Sequence, residues 1–189
     1  MQVNSFKFLI FNYWRSIDKK IFFSFLILFF LGLFFSFSST SFLAGERLNK
    51  DYYFFFIKHF IFTFSAISIM LIISFIKTEL LIKLVIPIFV ISFILLGIVP
   101  IIGIEVKGAK RWISLYFFNL QPIEILKPFF ILMTVKILTY QNFKNSHLKY
   151  FLSFMLLSCI IILLVNQPDL GQSILIIGSW IAVVFLSGV

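Results

Sequence analysis

The chain has 189 residues, 61% of them hydrophobic and 12% charged, with a mean hydropathy of +1.11. A soluble domain carries about 25% charged residues, so composition excludes an ordinary soluble fold and indicates a membrane protein. The formal charge of +9, from 16 Lys and Arg against 7 Asp and Glu, then speaks for anionic lipid and cytoplasmic loops, not for nucleic acid.

A basic N-terminal segment, 1–20, precedes the first apolar run at 21–42. That run is longer than the roughly 7–15 apolar residues of a signal peptide. A cut after Ala44 would also put bulky Phe42 where a small residue is needed, so an uncleaved first helix is expected. About 20 apolar residues span the hydrocarbon core as a helix. On that measure six helices are expected, at 21–42, 54–76, 80–102, 122–140, 150–165 and 170–189. They lack the two-residue alternation of barrel strands. The expected fold is an all-α polytopic membrane protein, a single membrane domain over 1–189 with 1–20 in the cytoplasm.

With the N-terminus inside, nine cations fall in cytoplasmic segments and seven outside, a modest positive-inside bias. The first helix ends in Ser36, Ser38, Ser39, Thr40 and Ser41, small hydroxyl residues suited to close helix packing. The loop holding Arg47 and Lys50 reads as a solvated turn, and Lys58 and His59 as interfacial residues at the start of the second helix. Pro87 is expected to bend the third helix, and Pro100 and Gly103 to mark its outer end. Cys159 is the single cysteine and lies in an apolar run, and His59 and His147 stand far apart. No disulfide framework, metal site or cofactor follows from these residues; a divalent cation is not indicated.

The unusual chemistry lies between positions 107 and 128 and again at 166–172. Lys107, Lys110 and Arg111 arrive just outside the third helix, followed by Trp112. Two readings stand: an interfacial anchor on anionic lipid, or a contact for a pyrophosphate, whose oxygens match the planar fork of Arg. Gln121, Pro122, Ile123 and Glu124 read as a helix start, with Glu124 placed to cap backbone N–H groups. Lys127, three residues on, shares a helix face with Glu124, and charge kept in a membrane helix is paired and faces a polar interior. Pro128 has no N–H for the Glu124 carbonyl, so a kink is expected beside the pair. Asp169 opens the last helix, where the helix dipole favours an acid, and it lies on the same side as Glu124.

Three motifs now stand in one order: Gly-Ala-Lys-Arg-Trp-Ile at 108–113, Gln-Pro-Ile-Glu at 121–124 with Lys127, and Pro-Asp-Leu-Gly at 168–171. Together they resemble the signature of the SEDS (shape, elongation, division and sporulation) membrane proteins, from about Asp18 onward. The segments 44–54 and 105–115 look most like the cell-division branch; the elongation branch is the within-family alternative.

The resemblance implies a peptidoglycan glycosyltransferase with a bundle of roughly ten helices, of which this chain supplies the N-terminal portion. It implies polymerisation of lipid II, a disaccharide-pentapeptide on undecaprenyl pyrophosphate, at the outer face of the bacterial cytoplasmic membrane, at the division septum. Partners would be a class B penicillin-binding protein, other divisome proteins and membrane lipids. Lys110, Arg111, Trp112, Gln121, Glu124, Lys127 and Asp169 are then the expected substrate-binding residues. Ile123 and Gln172 depart from the family's usual Ser and Thr. The family's essential loop Asp is expected beyond Val189, so no catalytic residue is assigned here. The chain alone is expected to be inactive, as a fragment, a truncated or split reading frame, or an incomplete sequence. A lipid-linked precursor flippase and a non-catalytic divisome scaffold are the alternatives from other classes.

Overall fold

The computed structural model describes residues 14–15, 17–40, 53–106, 108–116, 118–141 and 145–188. Lys107, Arg47, Lys50, and Ser41 and Phe42 at the expected end of the first helix lie outside the described residues. The chain divides into two compact units, Met1–Lys77 and Thr78–Val189.

The first unit holds α1 (Lys19–Phe35) and α2 (Phe54–Ser74). Asp18 caps α1: its Oδ1 accepts from the backbone N–H groups of Lys20 at 2.9 Å and Ile21 at 3.2 Å. That cap starts the helix two residues before the apolar run. Ser36–Thr40 continue α1 as a π-helical turn, from which Phe37 meets Phe56 of α2 edge-on at 5.3 Å. No residue of α1 is buried, and only Thr63 of α2 is. Helices apolar all round, with so little covered, suit a lipid environment.

The second unit runs α3 (Thr78–Ile102), β1 (Ile104–Val106), β2 (Ala109–Leu115), β3 (Phe118–Leu120), α4 (Pro122–Leu138), α5 (Ser146–Asn166) and α6 (Leu170–Leu186). The six helices expected from the sequence are present, with ends shifted by a few residues. For α5 the cause is Asn145, whose Oδ1 accepts from the His147 N–H at 3.0 Å and starts the helix before Tyr150. The runs Lys19–Ser38, Phe54–Ser74, Thr78–Ile102 and Ser146–Asn166 are long and apolar enough to cross a membrane, and α6 is a shorter apolar helix.

Pro100 lies inside α3 instead of closing it, and the helix passes both Pro87 and Pro100 to reach Ile102. Each proline withholds an N–H from the carbonyl four residues back, at Lys83 and Leu96. Gly103 then ends the helix with its N–H on the Val99 carbonyl at 2.8 Å, where an added Cβ would collide with that same oxygen.

The charged stretch after α3 is a three-stranded antiparallel meander in the order β1-β2-β3. Val106 opposes Ala109 and Leu115 opposes Phe118, so both connections are two residues long. The first needs a left-handed residue, which Gly108 supplies at φ +78°. Apolar patterning gave no warning of this sheet, because the strands are short and β2 mixes charge with apolar residues.

The core of the second unit gathers Phe89 and Leu96 of α3, Ile123, Leu126 and Phe130 of α4, Leu157, Ile160 and Leu164 of α5, and Ile176 of α6. Ser92, Thr134, Ser153 and Ser173 are buried among these helices. Lipid is as apolar as Leu, so membrane helices gain little by hiding Leu from it; close packing at small residues and bonds between helices hold them instead. One such bond runs from Trp180 Nε1 to Ser153 Oγ at 3.3 Å, joining α6 to α5.

Candidate functional site

At the sheet end of the second unit, three chain segments meet: β2, the start of α4, and the turn between α5 and α6. Arg111 reaches from β2 to that turn. Its Nε donates to the Gln167 carbonyl at 3.2 Å, its Nη2 donates to the Pro168 carbonyl, and Nε lies 3.8 Å from Asp169 Oδ2. A helix leaves its last carbonyls without partners, and a cation there answers both the missing donors and the negative end of the dipole. Arg111 therefore clasps the end of α5, with about a third of its side chain still exposed.

Asp169 works in two directions. Its Oδ1 accepts from the Gln172 N–H at 3.4 Å, capping α6, while its Oδ2 accepts from Gln121 Nε2 at 3.2 Å. Gln121 is the residue before α4 and makes no side-chain cap of its own. Asp169 is buried, so its charge is held by the capped helix and by Arg111 rather than by water.

Of the two readings of Glu124, a cap on its own helix start and a pair with Lys127, the structure shows the pair, and both carboxylate oxygens are engaged by side chains. Oε2 pairs with Lys127 Nζ at 2.7 Å, and Oε1 accepts from Gln172 Nε2 at 2.8 Å across to α6. Half of the Glu124 side chain is exposed and a quarter of Lys127. The other amide atom of Gln172, Oε1, is a buried acceptor with no partner among the described residues. Position 172, where the sequence departs from the SEDS pattern, thus supplies a bridging amide. Pro128 lies inside α4, which continues to Leu138.

Of the expected site residues, Arg111, Gln121 and Asp169 form one connected group, and Glu124 and Lys127 a second joined to α6 by Gln172. Lys110 stands apart: it is exposed, opposite Glu105 in the sheet, with no ion pair among the described residues. Trp112 is half-buried opposite Ile104.

One residue of the polar stretch 166–172 has a role that the sequence did not assign. Gln167 is almost wholly buried, and its Nε2 donates at 2.8 Å to the Leu96 carbonyl, the one deprived by Pro100. A buried carbonyl without a donor is costly, so Gln167 completes α3 from α5. The proline four residues after Leu96 was a visible signal that a donor was needed; its identity was not visible. No group of three or more His, Cys, Asp or Glu side chains is placed to hold a metal among the described residues. The site offers two carboxylates, the Arg111 and Lys127 cations and the amides of Gln121 and Gln172, a set that can hold a charged or hydroxyl-rich headgroup.

Comparison with known proteins carries this further. A family model for the cell cycle proteins FtsW, RodA and SpoVE matches residues 18–189. A probable peptidoglycan glycosyltransferase FtsW of Haemophilus influenzae is 31% identical over 173 residues, which is 90% of this chain and 44% of that protein. The protein of the same description from Coxiella burnetii is 41% identical over 105 residues, 53% of this chain and 28% of that one. The chain spans less than half the length of these curated relatives. Among solved structures, the rod-shape-determining protein RodA of Thermus thermophilus superposes with a TM-score of 0.76 at 23% identity, over 93% of this chain and 55% of that one, a likeness of fold. With the apolar spans, the motifs at 108–113, 121–124 and 168–171 and this match in agreement, the chain is a multi-pass membrane protein and belongs to the FtsW, RodA and SpoVE family of cell cycle proteins.

Proposed function

We propose that this chain serves a division-type peptidoglycan glycosyltransferase that polymerises lipid II at the outer face of the cytoplasmic membrane, together with a class B penicillin-binding protein. In this reading the N-terminus is cytoplasmic and the sheet end of the second unit faces out. The observation that supports it most is the convergence of Arg111, Gln121, Asp169, Glu124, Lys127 and Gln172 at one end of an otherwise apolar bundle. Charge kept at such a place needs a use.

The geometry divides the labour. Arg111 is largely committed to the α5–α6 turn, so it frames the site and does not reach freely for a pyrophosphate. Exposed Lys110, half-exposed Glu124 and Lys127, a quarter exposed, are the groups open to a ligand. Lys127 can hold a phosphate oxygen, while Glu124 accepts bonds from sugar hydroxyls. A glycosyl transfer breaks the bond between the anomeric carbon and pyrophosphate and joins that carbon to an attacking hydroxyl. Cations near the departing pyrophosphate lower its barrier, and the base that takes the hydroxyl proton is not assigned within these residues.

The test is a chimera in which this sequence replaces the matching segment of the Haemophilus influenzae relative, assayed with labelled lipid II and that relative's partner. Glycan polymer should form, and Glu124→Ala or Lys127→Ala should reduce it at least tenfold without loss of the protein from the membrane. Translocation of lipid II across vesicles without polymer would support the flippase reading instead. Full polymerisation by both variants would overturn the assignment of this site.

A further inference from the structure

A second feature lies in the first unit. Between α1 and α2 opens a cavity of about 540 Å³ lined by Gly32, Phe35, Phe55, Lys58, His59 and Phe62. Gly32 brings bare backbone to its wall: a Cβ there would lie in ordinary contact with His59 Nε2, at 3.7 Å, whereas a longer side chain would enter the space. Directly after Phe35 the helix loosens into its π-helical turn, an irregularity found often at functional sites.

The lining has two chemistries arranged by depth. Lys58 and His59 are the fifth and sixth residues of α2, so they lie about 6–8 Å inside its start at 1.5 Å per residue. A helix of 21 residues is about as long as the hydrocarbon core is thick, so both lie just inside its boundary, from where the long Lys58 side chain can snorkel to the headgroups. Both are exposed, and neither has an ion pair among the described residues. Phe35, Phe55 and Phe62 supply the apolar part, and Phe35 is 61% exposed in a helix with no buried residue. A cation and a ring N–H beside an open aromatic groove, on helices whose other faces are apolar, match an amphiphile with an anionic head.

We propose that the groove between α1 and α2 is a binding site for one anionic phospholipid of the surrounding membrane. Lys58 and His59 hold the headgroup phosphate, and an acyl chain lies on Phe35, Phe55 and Phe62. The charge complementarity of Lys58 selects an anionic head over a zwitterionic one, since a lysine near a membrane surface favours anionic lipid about fivefold. The aromatic floor selects a lipid over free phosphate.

The experiment uses the full chain in mild detergent with native mass spectrometry, offered phosphatidylglycerol, phosphatidylcholine or inorganic phosphate. The wild type should retain one phosphatidylglycerol, about fivefold more than phosphatidylcholine, and millimolar inorganic phosphate should not displace it. Lys58→Gln should remove most of that preference, Lys58→Arg should keep it, and Gly32→Leu should lower retention of both lipids by filling the groove. Lys20→Gln, which changes a cation outside the groove, is the control and should behave as wild type. Equal retention of the two lipids, displacement by phosphate, or a Lys58→Gln variant with unchanged preference would each overturn the proposal. Because a variant can lose lipid by misfolding, spin-labelled phosphatidylglycerol or phosphatidylcholine is added in vesicles to a Phe62→Trp variant that also carries Trp14→Phe, Trp112→Phe and Trp180→Phe: stronger quenching by the phosphatidylglycerol supports the site, and equal quenching counts against it.

Discussion

The bond from Gln167 to the Leu96 carbonyl gives the sharpest test of how this bundle is held together. Gln167→Leu keeps nearly the same volume at a site 3% exposed and removes only the amide. The Leu96 carbonyl, already without a helical donor because Pro100 has no N–H, is then buried and unpaired. Such a group costs about 1–3 kcal/mol. Pro100→Ala returns an N–H to the same carbonyl, so in that background Gln167→Leu should cost less than about 1 kcal/mol. The two changes are therefore coupled by about 1–2 kcal/mol, well above the scatter expected of independent sites. Unfolding of the four proteins by SDS in mixed micelles, followed by far-ultraviolet circular dichroism, measures all sides of the cycle. Equal losses from Gln167→Leu with and without the Pro100→Ala change would refute the account, because the amide would then be doing something unrelated to the proline.

Three further outcomes follow from the same end of the molecule. Arg111→Lys keeps the charge but cannot reproduce the fork onto the Gln167 and Pro168 carbonyls, so it should destabilise by about 1 kcal/mol, read as a lower unfolding midpoint. The ion pair to Asp169 adds little to that figure, being long and partly exposed. Asp169→Ala removes a helix cap worth about 1 kcal/mol and should speed hydrogen exchange at the Gln172 amide, whereas Asp169→Asn should restore most of the protection. Glu124→Gln, at a half-exposed pair, should change stability by less than about 1 kcal/mol while lowering polymer yield in the chimera, which separates a functional role from a structural one.

The helices were legible because each is a long apolar run, and the caps Asp18 and Asn145 explain the earlier starts of α1 and α5. The sheet was not legible: its strands are set by pairing across two short turns, and pairing is not a property of any one segment. Glu124 with Lys127 was readable from their spacing of three, which α4 turns into a 2.7 Å contact. The use of Arg111 was not, since a cation next to Trp112 reads as a surface group until the α5–α6 turn is placed beside it. Gln172 was noticed only as an unusual residue; its bond to Glu124 depends on where α6 meets α4.

Prolines connect these observations. Pro100 and Pro128 each remove an N–H near the sheet end, one from Leu96 and one from Glu124. In a membrane such a carbonyl cannot be left to lipid, so it must find a donor in protein or in water. The Leu96 carbonyl is answered from α5 by a buried side chain, which closes that position to solvent and ties two helices together. At Glu124 the side chain is half-exposed and bonded to Lys127 and Gln172. Pro100 thus ties α3 to the end of α5 through Gln167, while Pro128 lies in the turn of α4 that follows Glu124 and Lys127.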